Sequence, residues 1–286
     1  MLRRTALIGL FLCTIASAAR AAPAPIHPPA RIVSLNPCLD AILLRVADPG
    51  QIAALSHYSR NPASSAVWAE ARRYPFTYGS GEEVAALKPD LVLTSGMGAM
   101  ALAGVLPRLH IQAASFGVPS SFKQSIAQVR RVAALAGHPD RGEALVARID
   151  AAFAAAAPPP GAAPLGALIY EYHGLASGPG TLMDELMRRA GFDNYARRYG
   201  LKHTVDVPLE RLLADPPPVL LAGSPGPGQP TWADRVLSHP ALRAVAGRMR
   251  RESFPETLMF CGGPQIIPAM AALARARTDA LRGVSR

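Results

Sequence analysis

Apolar and polar positions alternate along this chain in short blocks. "ARIVSL" (30–35) is an apolar run stopped by Asn36-Pro37, which reads as a buried strand ended by a turn. "LDAILLRVA" follows at helical spacing and ends at Asp48-Pro49-Gly50; "QIAALS" reads as the next strand. Residues 82–87 read as one or two helical turns, 90–94 as a strand, "GAMALAGVLPRL" as a helix and "IQAASFG" as a strand. Strands and helices in alternation predict a parallel sheet covered by helices.

The rhythm then changes. Residues 120–136 form an amphipathic helix, "GHPD" breaks it, and Asp140 is placed to begin another. "RGEALVARIDAAFAAAA" (141–157) has strong helix formers and no internal Pro. About 18 residues at a rise of about 1.5 Å make a rod of roughly 27 Å. Pro158-Pro159-Pro160-Gly161 stops it. The first pattern then restarts: a strand "LGALIYEY", a loop "HGLASGPG", and a helix "TLMDELMRRAG" with Gly191 at its C-cap. A strand "PVLLAG", helices near 232–238 and 240–247, and a terminal helix over about 265–281 follow. The fold class expected is α/β, with two Rossmann-like lobes of parallel sheet joined by one long helix and a ligand cleft between them. The expected boundaries are a signal peptide over 1–21, a first lobe over 30–138, a connecting helix and linker over 139–160, and a second lobe over 163–286.

One unit occurs twice. Glu83–Gly96 and Glu210–Gly223 match without a gap, each with a leading Glu, an apolar run, a Pro-marked turn, a strand and a closing Gly. Open parallel sheets bind ligands beyond the carboxyl ends of their strands. Two facing lobes therefore make a cleft with one carboxylate on each shoulder. The helix dipole favours an acid in any first turn, but recurrence in both lobes points to a paired role.

Charge and cysteines narrow the class. The formal charge is +10; Arg3, Arg4 and Arg20 account for three of it, so removal of residues 1–21 leaves +7. No dense basic run or known motif follows, which argues against nucleic acid. "MLRRTALIGLFLCTIASAARAA" has a basic start, an apolar run and small residues after it, the pattern of a secretory signal peptide. Phe11-Leu12 before Cys13 does not suit a lipoprotein site, so the expectation is a soluble exported protein. After cleavage two cysteines remain, Cys38 and Cys261. They are either a disulfide, which an oxidising compartment permits, or two small buried residues.

The order of "RIVSLNP", "QIAALSHYS", "ALKPDLVLTSG", the rod, "SGPGTLMDELMRRAGFDN" and "VPLERLLADPPPVLLAG" resembles the periplasmic binding proteins of ABC importers for vitamin B12, ferric siderophores and haem. The resemblance covers about 30–286 and is strongest to the vitamin B12 binders at "ALKPDLV" and 177–194. It implies a periplasmic, monomeric, non-enzymatic protein without a cofactor. Its partner would be an ABC permease dimer in the inner membrane. Its ligand would be a cobalamin-type corrinoid, with a ferric siderophore or haem as the alternative and a bare metal ion behind these. It further implies one surface Glu per lobe that docks on permease arginines, seven residues before the Pro of the strand turn. That spacing selects Glu82 (with Pro89) and Glu210 (with Pro217), whereas the internal match selects Glu83.

Cleft candidates are the residues after strand ends: Asn36, Pro37, Cys38, His57, Tyr58, Tyr78, Ser95, Gly96 and Met97 in the first lobe, and Tyr170, Tyr172, His173, Met259, Phe260 and Cys261 in the second. Pro37, Cys38, Tyr58, Tyr78, Ser95, Met97, Tyr172, His173, Met259 and Phe260 are the expected ligand contacts. Flat aromatic and thioether surfaces suit a corrin or porphyrin ring. Vitamin B12 binders of the family tend to carry cleft Trp, and this chain has only Trp68 and Trp232, both in helical settings. No residue set is expected to hold a metal directly, although His57 and His173 are able to ligate iron or cobalt. Gly96-x-Gly98-x-x-Ala101 after a strand also fits an exported dinucleotide-dependent enzyme, a distant alternative lacking an acid after the next strand. No G-x-S-x-G occurs for a serine hydrolase.

Overall fold

A computed structural model describes residues 27–171, 174–223, 235, 238–245 and 247–284. The expected signal peptide, Cys13, Tyr172, His173 and Trp232 lie outside the described residues, as does most of the helix read near 232–238. Among the described residues no helix is long and apolar enough to cross a membrane.

The first sheet contains β1 (Ile32–Ser34), β2 (Ile52–Ser56), β3 (Phe76–Thr77), β4 (Leu91–Ser95) and β5 (Gln112–Phe116) in the order β3-β2-β1-β4-β5. Every pairing in it is parallel. Its middle strand β1 is buried along its length, as a strand covered on both faces must be. The Asn36 side chain then caps helix Pro37–Val46 by accepting the N–H groups of Cys38 and Leu39, with Pro37 at the first helical position. Ser121 likewise caps helix Phe122–Leu135. The long helix follows as Pro139–Ala156, 18 residues.

The second sheet contains β6 (Leu165–Tyr170), β7 (Leu175–Ser177), β8 (Phe192–Asn194), β9 (Thr204–Asp206), β10 (Val219–Ala222) and β11 (Arg250–Ser253). Its order is β11-β10-β6-β7-β9, with β8 paired to β6. This sheet is parallel at its centre, as expected, and carries an antiparallel edge that the sequence did not announce. The pairings of β6 with β8 and β10, and of β10 with β11, are parallel, but β7 runs antiparallel to β6 and β9 antiparallel to β7. Within the stretch read as a loop, "HGLASGPG", Leu175–Ser177 is strand β7: Glu171 N–H donates to the Leu175 carbonyl at 2.8 Å, and Gly174 takes φ +86°.

The long helix is not a free rod. It packs against helix Phe122–Leu135 and against the terminal helix Ile266–Val284. Gly142 permits the first contact, because a Cβ there would lie 2.6 Å from the Ala133 Cβ. One apolar cluster runs from Ile32 and Leu43 in the first lobe, through Ile149, to Leu186 and Met270 in the second.

The lobes are also tied at one point. Cys38 and Cys261 form a disulfide across them, 223 positions apart in the chain. The next residues press into the first lobe: Gly263 N–H donates to Ser125 Oγ at 2.8 Å, and a Cβ on Gly262 would meet that oxygen at 2.4 Å.

Candidate functional site

Because β1 to β5 are parallel, their carboxyl ends share one edge of the first lobe. His57 and Tyr58 follow β2 and Tyr78 follows β3. The His57 ring lies 3.9 Å from the Tyr58 ring and 4.7 Å from the Tyr78 ring. Phe76 meets Tyr78 edge-on at 5.5 Å, and the Arg60 guanidinium lies over Phe76. Tyr58 is 57% exposed and Tyr78 69% exposed, far above what packing alone would leave for such rings. These segments therefore present an open platform of two phenols around one imidazole.

Two carboxylates brace the platform. Asp40, fully buried in helix Pro37–Val46, accepts the Ser56 N–H at 2.9 Å and the Ser59 hydroxyl at 2.5 Å through Oδ2. Its other oxygen, Oδ1, is buried without a hydrogen bond. Glu83 Oε2 accepts the Thr77 hydroxyl at 2.7 Å and the N–H groups of Tyr78 and Gly79 at 2.8 and 3.1 Å.

Their acidities move in opposite directions. The Thr77 hydroxyl, with the Tyr78, Gly79 and Ser80 N–H groups, holds the Glu83 carboxyl below its ordinary value. Burial pushes Asp40 up from 3.8 to about 7; the hydroxyls of Ser34 and Ser59 and the Ser56 N–H only partly offset it. The folded chain thus keeps a proton on Asp40 that the unfolded chain has lost by mildly acidic pH. The stability Asp40 contributes is full below about pH 4 and lost as pH rises through 7. Between pH 5 and 8 the unfolding free energy of wild type is expected to fall relative to Asp40→Asn by about 3 kcal/mol. Urea denaturation of both proteins across that range checks this; parallel pH profiles would refute it.

A cavity of about 580 Å³ opens where the chain crosses out of the first lobe. Val118, Pro119 and Ser120 form one wall; Glu171, Ser177, Thr181, His203 and Thr204 line the second-lobe side, with Met259 to Gly262 between. Glu171 accepts the Ser177 hydroxyl at 2.7 Å. His203 is held at φ +60°, a conformation that costs a non-glycine residue about 1 kcal/mol or more. Two backbone bonds keep it there: its N–H donates to the Pro179 carbonyl, and its carbonyl accepts the Gly178 N–H.

Of the expected ligand contacts, Met259 and Phe260 line this cavity; Phe260 is 40% exposed and Met259 only 8%. Tyr58 and Tyr78 form the platform. Pro37 is the helix start, and Cys38 is committed to the disulfide, so its sulfur is no free ligand. Ser95 accepts a hydrogen bond from the Asn36 side chain at 2.7 Å. Tyr170 is buried core. Met97 lies in helix Gly96–Leu102, and its side chain is outside the description, as are Tyr172 and His173. Val118–Ser120, Glu171, Ser177, Thr181, His203 and Thr204 were not legible as site residues. They come from four separate segments, and only the unusual density of Gly and Pro in "SGPG" marked any of them.

The shoulder carboxylates separate cleanly. Glu82 and Glu210 are each the second residue of a six-residue helix, Gly81–Ala86 and Leu209–Ala214. Each stands nine residues before its strand, β4 or β10. Both are exposed, and among the described residues neither makes an ion pair. Glu83 instead points into the turn beneath Tyr78.

Comparison with known proteins agrees with this architecture. A family model described as periplasmic binding protein matches residues 32–249. No curated protein sequence matches. Among solved structures, the periplasmic heme-binding protein RhuT from Roseiflexus sp. RS-1 superposes with a TM-score of 0.69 at 26% identity, over 87% of this chain and 98% of that one. The periplasmic heme-binding protein BhuT, in complex with two hemes, gives 0.68 at 25% identity over 88% and 98%. The periplasmic vitamin B12 binding protein BtuF of Vibrio cholerae gives 0.64 at 15% identity over 89% and 99%, a likeness of fold.

Proposed function

The chain belongs to the periplasmic binding protein family, and from that premise we propose that it captures haem for an ABC importer and docks on the permease through Glu82 and Glu210. The observation that carries the ligand is the platform of Tyr58, Tyr78 and His57. A bare cation needs several protein donors, and among the described residues no group of three or more His, Cys, Asp or Glu is arranged to hold one. Haem brings four ring nitrogens and needs only one or two axial donors, for which a phenol or an imidazole serves. Two exposed rings also offer flat apolar area to a porphyrin face. A cobalamin with both axial positions occupied, or a hexadentate ferric siderophore, arrives with its metal coordination filled and has no use for free phenols. The identity of 25–26% to two heme-binding proteins supports the same choice over the corrinoid.

In this reading the first-lobe platform supplies the axial donor. The cavity lined by Phe260 and His203 would supply the second-lobe contacts to the ring.

The test is titration of the purified protein with hemin, cyanocobalamin and a panel of ferric siderophores, followed by visible absorbance. Hemin is expected to bind with a shifted Soret band at roughly micromolar Kd or tighter, and the double variant Tyr58→Phe/Tyr78→Phe to lose at least about tenfold in affinity. Binding of cyanocobalamin alone would move the substrate to corrinoids. An unchanged Soret band in the double variant would remove the phenols from the iron.

A further inference from the structure

We propose that Asp40 and Glu83 are positioning residues for the ligand platform, each carboxylate fixing the turn that carries one of its phenols. This rests on the reading that the platform faces ligand.

The geometry is matched on the two sides. Asp40 takes the Ser56 N–H and the Ser59 hydroxyl, the residues immediately flanking His57-Tyr58. Ser56 Oγ in turn accepts the Tyr58 N–H at 3.3 Å. Glu83 takes the Thr77 hydroxyl and the N–H groups of Tyr78 and Gly79, so it grips the second phenol's own backbone. Gly79, at φ +86°, completes that turn.

The scaffold explains only part of this: Glu83 shares a capping box with Ser80 at the start of helix Gly81–Ala86, but its three hydrogen bonds to the Thr77–Gly79 turn go beyond a cap. Asp40 is fully buried and, among the described residues, has no cationic partner; burying a carboxyl in an apolar core is unfavourable unless its hydrogen bonds serve something. Its two close hydrogen bonds, from the Ser56 N–H and the Ser59 hydroxyl, go to the platform turn, with the Ser34 hydroxyl of β1 beside it. It stands two residues from Cys38, so its backbone is anchored at the point where the lobes are tied. Glu83 makes no ion pair among the described residues and spends one oxygen entirely on the Thr77–Gly79 turn. Exposed aromatic side chains on short loops need such bracing: a platform that wanders by an ångström loses most of the benefit of preorganisation.

The experiment compares Asp40→Ala, Asp40→Asn, Ser59→Ala, Glu83→Ala and Glu83→Gln with wild type, each in the full chain. Two readouts are taken: hydrogen exchange of the ligand-free proteins, and hemin affinity with its Soret spectrum. Asp40→Ala is expected to speed exchange about tenfold or more at 56–60 and Glu83→Ala at 77–80, each leaving the other turn protected. Hemin affinity is expected to fall roughly ten- to hundredfold in both, with a changed spectrum. Asn and Gln keep an acceptor and are expected to restore most of the affinity. Ser59→Ala tests the Asp40 arm should Asp40→Ala fail to fold, and is expected to weaken binding with its overall stability little changed.

Faster exchange in the turns with unaltered hemin affinity and spectrum would overturn the proposal, as would unaltered exchange. If wild type fails to bind hemin, the haem reading fails by itself. The exchange data then still decide whether the two carboxylates hold the two turns.

Discussion

Reversing the charge at Glu82 and Glu210 together is expected to abolish ligand uptake in cells while leaving ligand affinity of the purified protein unchanged. Both side chains lie on exposed first turns, outside the platform and the cavity, so the cleft has no reason to respond. A carboxylate meeting an arginine on a permease makes a charge-assisted hydrogen bond. A lysine there would put like charges together, which costs several kcal/mol and slows encounter. One variant on each shoulder should weaken uptake in part, because a single remaining contact no longer fixes orientation. Glu83→Lys supplies the contrast: it should disturb the Tyr78 turn and hence ligand binding. Uptake assays with the Glu82→Lys/Glu210→Lys double variant, the two single variants and Glu83→Lys, beside titrations of the same proteins, separate these outcomes. Loss of ligand affinity in the Glu82→Lys/Glu210→Lys protein would refute the docking role.

Removing the Cys38–Cys261 bridge should have the largest effect on stability. A cross-link closing a loop of 223 positions removes much of the unfolded chain's freedom. Chain-entropy reasoning sets an upper figure of about 5 kcal/mol, and measured losses are about 2–5 kcal/mol. The paired variant Cys38→Ser/Cys261→Ser is therefore expected to unfold at markedly lower urea than wild type. The bridge is also the covalent tie between lobes, beside the Ser125 contact and the close approach of Gly262. Its loss should raise hydrogen exchange around 259–263 and speed ligand release. An unchanged urea midpoint would show that the apolar cluster spanning both lobes suffices.

Much of the architecture was legible because it is written locally. Asn36 before Pro37, Ser121 before its helix and the Pro run after the long helix each act on adjacent backbone. The buried strands β1, β4, β6 and β10 announce themselves as short, mostly apolar runs. The strands that escaped are β3, β7, β8, β9 and β11, two to four residues each, including such polar sequences as "TVD" and "RRES". They are strands only because a partner distant in the chain supplies hydrogen bonds.

The repeat shows where sequence stops and tertiary structure begins. That the unit occurs twice is plain from the residues, but the gapless match runs one residue out of register. It aligns Gly96 with Gly223 and so Glu83 with Glu210. The structure aligns the helices Gly81–Ala86 and Leu209–Ala214 and the strand starts Leu91 and Val219, which pairs Glu82 with Glu210. The closing glycines mislead because β4 has five residues and β10 four. Strand register is set by hydrogen bonds to a neighbour, Leu91 to Ile32 and Val219 to Ala167, and no local signal carries it. The same reason covers the rest. The sequence by itself determined two α/β lobes, the long helix, the doubled carboxylate and the aromatic residues at strand ends. Only the fold decided that Cys38 meets Cys261, that Asp40 lies buried beneath the Tyr58 turn, that Glu83 faces inward, and that His203 reaches the cavity. Each of these depends on segments far apart in the chain converging, and burial and pairing are properties of that convergence.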